Sequence, residues 1–168
     1  ARHVVFLSGL SNDVPAVTMN RFCGSSMQAV HDAAGAIAMG MADCVIAAGV
    51  ESMSRVPMGG FNPQPNPALY AANPGAYMSM GETAENVAAR YHVTRQEQEE
   101  FALRSQFNAA AAKKDHKFDA EIVPIVKKGG VVVSDDGCPR PDSTATDLAK
   151  LKPAFMADGG TVTAGTSS

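Results

Sequence analysis

Cys23 occupies the position in this sequence that is best suited to chemistry. It follows the apolar run 14–19 and precedes Gly24, Ser25 and Ser26, at a predicted junction between a strand and a helix. Peptide dipoles aligned at a helix start favour the reactive thiolate of such a cysteine, and the unpaired amides there suit an oxyanion. From these features alone, a nucleophile, a buried unreactive cysteine and a redox or modification site all remain open.

Two predicted strands and one predicted helix would position Cys23. The short apolar runs 14–19 and 44–49 are typical of buried strands. Residues 27–41 carry Ala, Met and Ile on every side, which predicts a buried helix that ends near Gly40. Strand, helix and strand in this order predict a right-handed βαβ unit of an α/β fold, on a sheet covered on both faces.

Residues 54–153 predict a mixed α+β subdomain inserted after the second of these strands. A loop rich in Pro, Asn and Gly spans residues 56–76, and two capping boxes and two β-branched runs follow it. The predicted elements are helices from Ser79 to about Tyr91 and from Thr94 to about Lys114, and a hairpin with strands 122–126 and 131–133. The second helix is predicted to bury a face formed by Leu103, Phe107, Ala110 and Ala111.

The composition limits the classes of function. The 168 residues carry a net charge of −3, which excludes a broad basic surface for nucleic acid. No apolar run approaches the roughly 18 residues of a membrane span. Three cysteines without a CxxC pair or an HxxxH motif predict neither a disulfide scaffold nor a metal site, and they indicate a reducing compartment such as the cytoplasm. Of the other cysteines, Cys44 is predicted to lie in the core and Cys138 in a loop.

Five segments, in register along essentially the whole sequence, resemble those of thiolases, the acetyl-CoA acyltransferases. The segments are VPAVTMNRFCGSSMQA (14–29), GVESMS (49–54), MGETAEN (80–86), LKPAF (151–155) and TVTAG (161–165). The resemblance implies a thiolase fold in three parts. Residues 1–53 would form part of the N-terminal core domain, 54–153 the inserted CoA-binding loop domain, and 154–168 a truncated return to the core.

The resemblance also implies an activity, the thiolytic cleavage of a 3-ketoacyl-CoA. Cys23 would attack the keto carbon and hold the acyl group as a thioester until a second CoA takes it. CoA is then a substrate, and neither a bound cofactor nor a metal is required. By the same resemblance, Met80 would line the pantetheine and acyl end, Arg140 would lie near the nucleotide phosphates of CoA, and Ser168 would contact the pantetheine arm.

Departures from the family pattern refine these expectations. The family's Gly-His-Pro, Cys-x-Gly and Asn-Glu-Ala segments do not occur here, so we predict that the 168 residues alone are inactive and are a piece of a longer protein. Ser79 in place of a His, and the ending Thr166-Ser167-Ser168, favour a degradative 3-ketoacyl-CoA thiolase over a biosynthetic acetoacetyl-CoA thiolase, which stays the alternative. The resemblance further implies a homodimer or tetramer, with the apolar strand near Cys23 at the interface, and a β-oxidation multienzyme partner.

Four other kinds of protein or site would also place a cysteine in such a setting. A non-catalytic thiolase-like protein that binds acyl-CoA or lipid would share the fold, and so would a ketoacyl synthase, which lacks the charged insert. A thiol switch would pair Cys23 with Cys44. A papain-like protease also places a cysteine at a helix start, but neither His92 nor His116 stands at the roughly 130-residue spacing that this class needs.

Overall fold

Two compact units, Ala1–Gln64 and Pro65–Ser168, make up the chain in this computed structural model, which describes residues 1–167. Helices predominate in both units, and one small sheet lies in the second. Among the described residues, no helix is long and apolar enough to cross a membrane. The domain boundaries predicted at residues 53 and 153 follow the domains of a protein family, whereas these two units are defined by compactness. The predicted boundaries therefore stay a prediction.

The first unit contains two helices, α1 (Arg2–Leu7) and α2 (Ser25–Ala38). Helix α1 is not predicted from the sequence. Its Arg2 guanidinium donates to the backbone oxygens of Asn12 and Val14, which holds the segment before Cys23 against this helix. Val5 of α1 is the single buried apolar residue of the unit within the described part of the chain.

Helix α2 forms close to where the sequence predicts it, but its environment differs. None of its residues is buried, whereas the pattern predicts a buried helix. Its C-terminal end is closed as predicted, because Gly40 adopts a φ of 69°, which favours glycine. The Gly40 amide donates to the Ile37 oxygen at 3.0 Å and the Met41 amide donates to the Ala36 oxygen at 2.9 Å, the pair of bonds that defines a Schellman motif.

The two predicted strands of the βαβ unit do not pair in the structure. Residues 14–19 and 44–49 have no strand assignment, and all but the half-buried Met19 are exposed. A strand needs a hydrogen-bonded neighbour, and the described residues provide none for either segment. These segments therefore fail to form strands because partner strands are missing, although their local sequences suit strands.

The second unit follows the sequence prediction more closely. Its helices are α3 (Pro67–Ala72), α4 (Met80–Tyr91), α5 (Arg95–Lys114) and α6 (Ala145–Ala149), with a single 3₁₀ turn at Pro74–Tyr77. Both predicted capping boxes are formed, at Ser79 with Glu82 and at Thr94 with Glu97, and they start α4 and α5 at the predicted residues. The segment predicted as a loop contains α3, whose first turn is capped by Asn66.

The predicted hairpin is present but shorter than expected. Strands β1 (Ile125–Val126) and β2 (Val132–Val133) pair antiparallel, with Ile125 opposite Val133. The turn between them places Gly129 and Gly130 at φ values of 92° and 82°, a conformation that glycine adopts without strain.

The core of the second unit is small. Its buried apolar residues are Ala88 of α4, Leu148 of α6 and Val162, and Thr163 is fully buried beside them. The predicted buried face of α5 is only partly correct. Leu103 and Ala110 are half-buried, but Phe107 and Ala111 are exposed. The residues of α5 that face a cavity lie along another stripe, which includes Phe101 and Ala102.

Candidate active site

Cys23 lies immediately before Gly24, the N-cap residue of α2, and its side chain is exposed. The sulfur is therefore neither buried in a core nor placed in the middle of a helix. This is the location that the sequence predicts for a reactive cysteine. Cys23 is thus exposed rather than buried among the described residues, and its role as a nucleophile stays a prediction.

A compact turn fixes the backbone around Cys23. The Arg21 amide donates to the Ser25 hydroxyl at 2.9 Å, and that hydroxyl donates to the Phe22 carbonyl oxygen at 2.6 Å. Asn20 contributes its side-chain oxygen as acceptor for the Phe22 amide at 2.8 Å. Phe22 itself has a φ of 48°, a strained conformation for a bulky residue, which the surrounding hydrogen bonds must maintain. The turn therefore presents Cys23 in a defined orientation.

Free amides surround Cys23 at the start of α2. The backbone N–H groups of Cys23, Ser26 and Met27 have no hydrogen-bond acceptor among residues 1–167. Such amides carry the partial positive charge of the helix dipole. The arrangement can stabilise negative charge that develops next to the Cys23 sulfur, as acyl transfer requires.

The segment 44–49 approaches the first turn of α2. A Cβ atom added to Gly49 would collide with the Ser26 hydroxyl, so the backbone of Gly49 lies directly against this turn. The nearby Glu51 accepts a hydrogen bond from the Ser52 amide at 2.8 Å. On the other side of the turn, Arg21 donates to Gln28 at 2.6 Å.

The other cysteines do not form a second centre in the structure. Cys44 and Cys138 are both free and exposed. The prediction that Cys44 lies in the core is wrong, because its segment has no sheet to cover it. Cys138 lies in a loop as predicted, with its amide bonded to Asp136 at 2.9 Å. Within residues 1–167, no cluster of three or more His, Cys, Asp or Glu side chains could hold a metal ion.

In the second unit, an open apolar groove of about 740 Å³ runs between α4 and α5. We call it the α4–α5 groove, and its lining includes Met80, Thr83, Val87, Phe101, Val162 and Thr166. Met80 stands at the first position of α4 with 69% of its surface exposed. It is available to a ligand, and its predicted contact with the pantetheine and acyl end stays a prediction.

Arg140 and Ser168 complete the residues singled out by the sequence. Arg140 is exposed in a loop, where its amide donates at 2.7 Å to the side-chain oxygen of Gln106, a residue that also lines the α4–α5 groove. Arg140 therefore lies beside the groove that Met80 also lines. Ser168 lies outside the described residues, and Thr166 is the described neighbour that reaches the groove. Cys23 belongs to the first unit.

Sequence reasoning missed a buried carboxylate beside the groove. Glu85 of α4 is 4% exposed and accepts hydrogen bonds from the Thr161 and Val162 amides and from the Thr161 hydroxyl, at 2.8 to 2.9 Å. Burial by itself would raise the pKa of Glu85, but these donors outweigh it and hold the pKa below its ordinary value. A carboxylate on the buried side of a helix is the only signal of this role in the sequence. Its partners could not be predicted, because they lie 76 and 77 positions away.

Arg95 was also missed. Its guanidinium donates to the backbone oxygens of Leu148, Ala149 and Leu151, at 3.1, 3.2 and 2.6 Å, and to the Glu99 carboxylate at 2.7 Å. A cation at the C-terminal end of a helix satisfies carbonyls that the helix leaves free. Arg95 therefore ties the start of α5 to the end of α6.

Known proteins resemble this chain in sequence and in fold. The family described as thiolase, N-terminal domain, matches residues 1–168. The 3-ketoacyl-CoA thiolase of Bacillus subtilis (strain 168) is 47% identical over all of this chain and 46% of its own length. A mouse protein named 3-ketoacyl-CoA thiolase A, peroxisomal, is 45% identical over all of this chain and 42% of its own length. The chain thus spans less than half of these curated relatives.

Solved structures show a similar backbone fold. The dimeric peroxisomal thiolase of Saccharomyces cerevisiae matches 98% of this chain and 43% of its own with a TM-score of 0.89 at 38% identity. Human mitochondrial 3-ketoacyl-CoA thiolase in complex with CoA matches 97% of this chain and 44% of its own with a TM-score of 0.79 at 33% identity. The chain therefore belongs to the thiolase family and forms part of its N-terminal domain. The resemblance and the fold class predicted from sequence are confirmed.

Proposed function

We propose that this chain is the nucleophile-bearing part of a degradative 3-ketoacyl-CoA thiolase. The observation that carries the proposal is Cys23, exposed directly before a helix start and beside free backbone amides. Names of the matched relatives support the degradative reaction over the biosynthetic one. Because the chain covers less than half of those relatives, the activity belongs to a longer polypeptide of which these residues are one part.

In the proposed reaction, the Cys23 thiolate attacks the 3-keto carbon of the substrate. A C–S bond forms, and the carbonyl oxygen takes the negative charge within reach of the free amides at the start of α2. The bond between the α and β carbons then breaks, and its electron pair leaves on acetyl-CoA as an enolate, which must receive a proton. A second CoA thiol then gives up its proton to a base and attacks the thioester. Its new C–S bond replaces the bond to Cys23, which leaves as the thiolate, and the shortened acyl-CoA is released.

The proton donor for the enolate is proposed to lie outside these 168 residues. The histidine and second cysteine segments expected of the family do not occur in the sequence. Cys23 would therefore supply the nucleophile, while the proton transfers of acylation and turnover need groups supplied by the rest of the enzyme.

CoA is proposed to act as substrate, and we propose no resident cofactor or metal. Met80 at the mouth of the α4–α5 groove and the exposed guanidinium of Arg140 are the residues proposed to contact the pantetheine and the phosphates. An apolar groove suits an acyl or pantetheine chain, and a guanidinium suits phosphate. The CoA bound to the human mitochondrial relative supports this assignment.

The assembly is proposed to be a homodimer or tetramer, supported by the dimeric yeast relative. The unpaired apolar segments 14–19 and 44–49 would gain neighbours in a complete, assembled enzyme, which agrees with a role near an interface. A cytoplasmic location and a β-oxidation multienzyme partner stay predictions, since the matched relatives include peroxisomal and mitochondrial proteins.

Acylation of Cys23 is the direct test. The whole polypeptide that carries this chain is mixed with a medium-chain 3-ketoacyl-CoA, quenched in acid, and measured by intact and peptide mass spectrometry. We expect an acyl adduct on Cys23, and a fall in thiolysis of at least about 1,000-fold in Cys23→Ala. Cys44→Ala is the matched control, a second exposed cysteine of the same unit, and it should retain full activity.

The outcomes separate the alternatives. A preference for acetoacetyl-CoA in kcat/KM over longer chains would favour the biosynthetic thiolase. CoA binding without an adduct, together with equal iodoacetamide rates at Cys23 and Cys44, would indicate a non-catalytic binding protein. A Cys23–Cys44 disulfide formed under mild oxidation would favour the thiol switch.

A further inference from the structure

Glu85 is a buried ionisable group that the proposed reaction does not use. It projects from α4, the helix that begins with Met80, and it binds the chain segment 161–162 across four hydrogen bonds. Its Oε1 atom receives the Thr161 and Val162 amides, and its Oε2 atom receives the Thr161 amide and hydroxyl. Both carboxylate oxygens are occupied by donors from one short segment.

The segment held by Glu85 forms part of the wall of the α4–α5 groove. Val162 lines the groove directly, and so does Thr166 in the turn that follows. The Thr166 hydroxyl accepts from the fully buried Thr163 amide at 3.0 Å and donates to the Thr163 oxygen at 3.2 Å. Because these bonds are consecutive, the position of Thr166 depends on where Thr161 and Val162 are anchored.

A second groove residue joins the same anchor. Gln98 of α5 lines the groove and donates to the Thr161 hydroxyl at 2.9 Å. The Thr161 hydroxyl thus connects a residue of α4 to one of α5. The backbone is also packed closely here, since a Cβ atom at Gly160 would meet the Met156 oxygen and the Glu85 carboxylate. The geometry leaves this segment little freedom while Glu85 accepts all four bonds.

We propose that Glu85 is a positioning residue for acyl-CoA: its carboxylate fixes residues 161–166 so that Val162 and Thr166 face Met80 across one groove. The inference rests on the proposed function, because it takes the α4–α5 groove to hold the pantetheine and acyl end of the substrate. Glu85 does not touch reacting atoms and acts through the segment that it holds.

Glu82 provides a contrast on the same helix. It lies three residues earlier, is exposed, and bonds only to Ser79 within its capping box. Glutamine can also complete a capping box, so Glu82→Gln removes a charge but leaves Met80 at the start of α4, and it does not release the segment 161–166. Glu82→Gln is therefore a matched control for Glu85→Gln.

The test measures CoA affinity separately from catalysis. Isothermal titration of CoA is carried out on the whole polypeptide with Cys23→Ala, with and without Glu85→Gln or Glu82→Gln, and thermal melting is recorded for each. Glu85→Gln turns one acceptor into a donor that faces Thr161, so we expect a Kd for CoA about tenfold higher. Glu82→Gln should lower the melting temperature with an unchanged Kd.

A second pair keeps the test decisive if Glu85→Gln does not fold. Thr161→Val removes the hydroxyl bonds to Glu85 and Gln98 but keeps the backbone amide. Thr161→Ser retains both hydroxyl bonds. We expect a Kd about threefold higher for Thr161→Val and a normal Kd for Thr161→Ser. In the active enzyme, KM should rise with kcat little changed.

Each result decides a separate question. If CoA binds normally to folded Glu85→Gln protein, or to Thr161→Val where that first variant is unfolded, Glu85 is only structural and the inference is overturned. If Cys23→Ala protein with Glu85 intact does not bind CoA, the proposed function itself fails. Weaker binding in Glu85→Gln and Thr161→Val, with normal binding in Glu82→Gln and Thr161→Ser, supports the inference.

Discussion

The two units of the chain are stabilised in different ways. In the first unit neither α-helix has a side-chain cap, whereas all four α-helices of the second unit are capped by a side chain, from Asn66, Ser79, Thr94 and Thr144. The second unit also contains the long-range Glu85 and Arg95 anchors. Large apolar side chains remain exposed in both units, among them Val50 at 98% in the first and Val123 at 77% in the second.

The two units therefore obtain their stability from different sources. The second unit carries its own local signals and its own cross-links, so its helices are specified by nearby residues. The first unit carries apolar strand segments that are stable only when a neighbour pairs with them and covers them. Cys23, the proposed nucleophile, therefore lies in the part of the chain that depends more strongly on the rest of a thiolase.

Amide hydrogen exchange on the 168-residue chain gives the largest expected contrast. Residues 44–49 have no backbone partner and should exchange at nearly the rate of an unfolded chain, whereas the middle of α4 should be protected at least about 100-fold. Exchange followed by mass spectrometry measures both at once. In the complete enzyme we expect residues 44–49 to become protected. Equal protection of the two regions in the isolated chain would contradict the comparison.

The sequence predicted what short-range chemistry determines. The start of α4 follows from Ser79 and Glu82, three residues apart, and the location of Cys23 before a helix follows from the small residues next to it. The absence of strand pairing at residues 14–19 and 44–49 could not be predicted, because a strand pattern does not reveal whether a partner strand is present. Likewise, nothing local indicates that Glu85 bonds to Thr161 or that Arg95 bonds to Leu151, since chain folding brings them together.

Replacing a helix glycine by alanine should change the free energy of unfolding in opposite directions in the two units. Gly35 in α2 has open space around it, so Gly35→Ala should raise the free energy of unfolding by about 0.5–1 kcal/mol through helix propensity. Gly81 in α4 lies against the Phe155 ring, and the added methyl would collide with it. Overpacking costs about 1–3 kcal/mol, which exceeds the same propensity gain, so Gly81→Ala should be destabilising.

Urea unfolding of the chain measures both changes. Gly137→Ala, in a loop with no atom near the added methyl, is the control for handling and expression. A stabilising Gly81→Ala would show that the Phe155 ring moves aside at no cost. A destabilising Gly35→Ala would show that α2 is covered in solution, as the sequence pattern alone predicts.

The capping box of α5 should give the smallest effect and one that depends on pH. Thr94→Ala removes the N-cap hydroxyl and should lower the free energy of unfolding by about 1 kcal/mol at neutral pH, whereas Thr94→Ser should have little effect. Hydrogen bonds from the Thr94 amide and hydroxyl hold the pKa of Glu97 below its ordinary value of 4.5.

A depressed folded-state pKa contributes stability above the unfolded value, and this contribution is lost as the pH falls through the folded value. Part of this contribution requires the Thr94 hydroxyl, so the difference between wild type and Thr94→Ala should narrow as the pH falls below about 4.5. Urea midpoints measured at a series of pH values test this. A difference that stays constant across that range would mean that Glu97 and Thr94 stabilise α5 independently, and that the box does not act as a reciprocal pair.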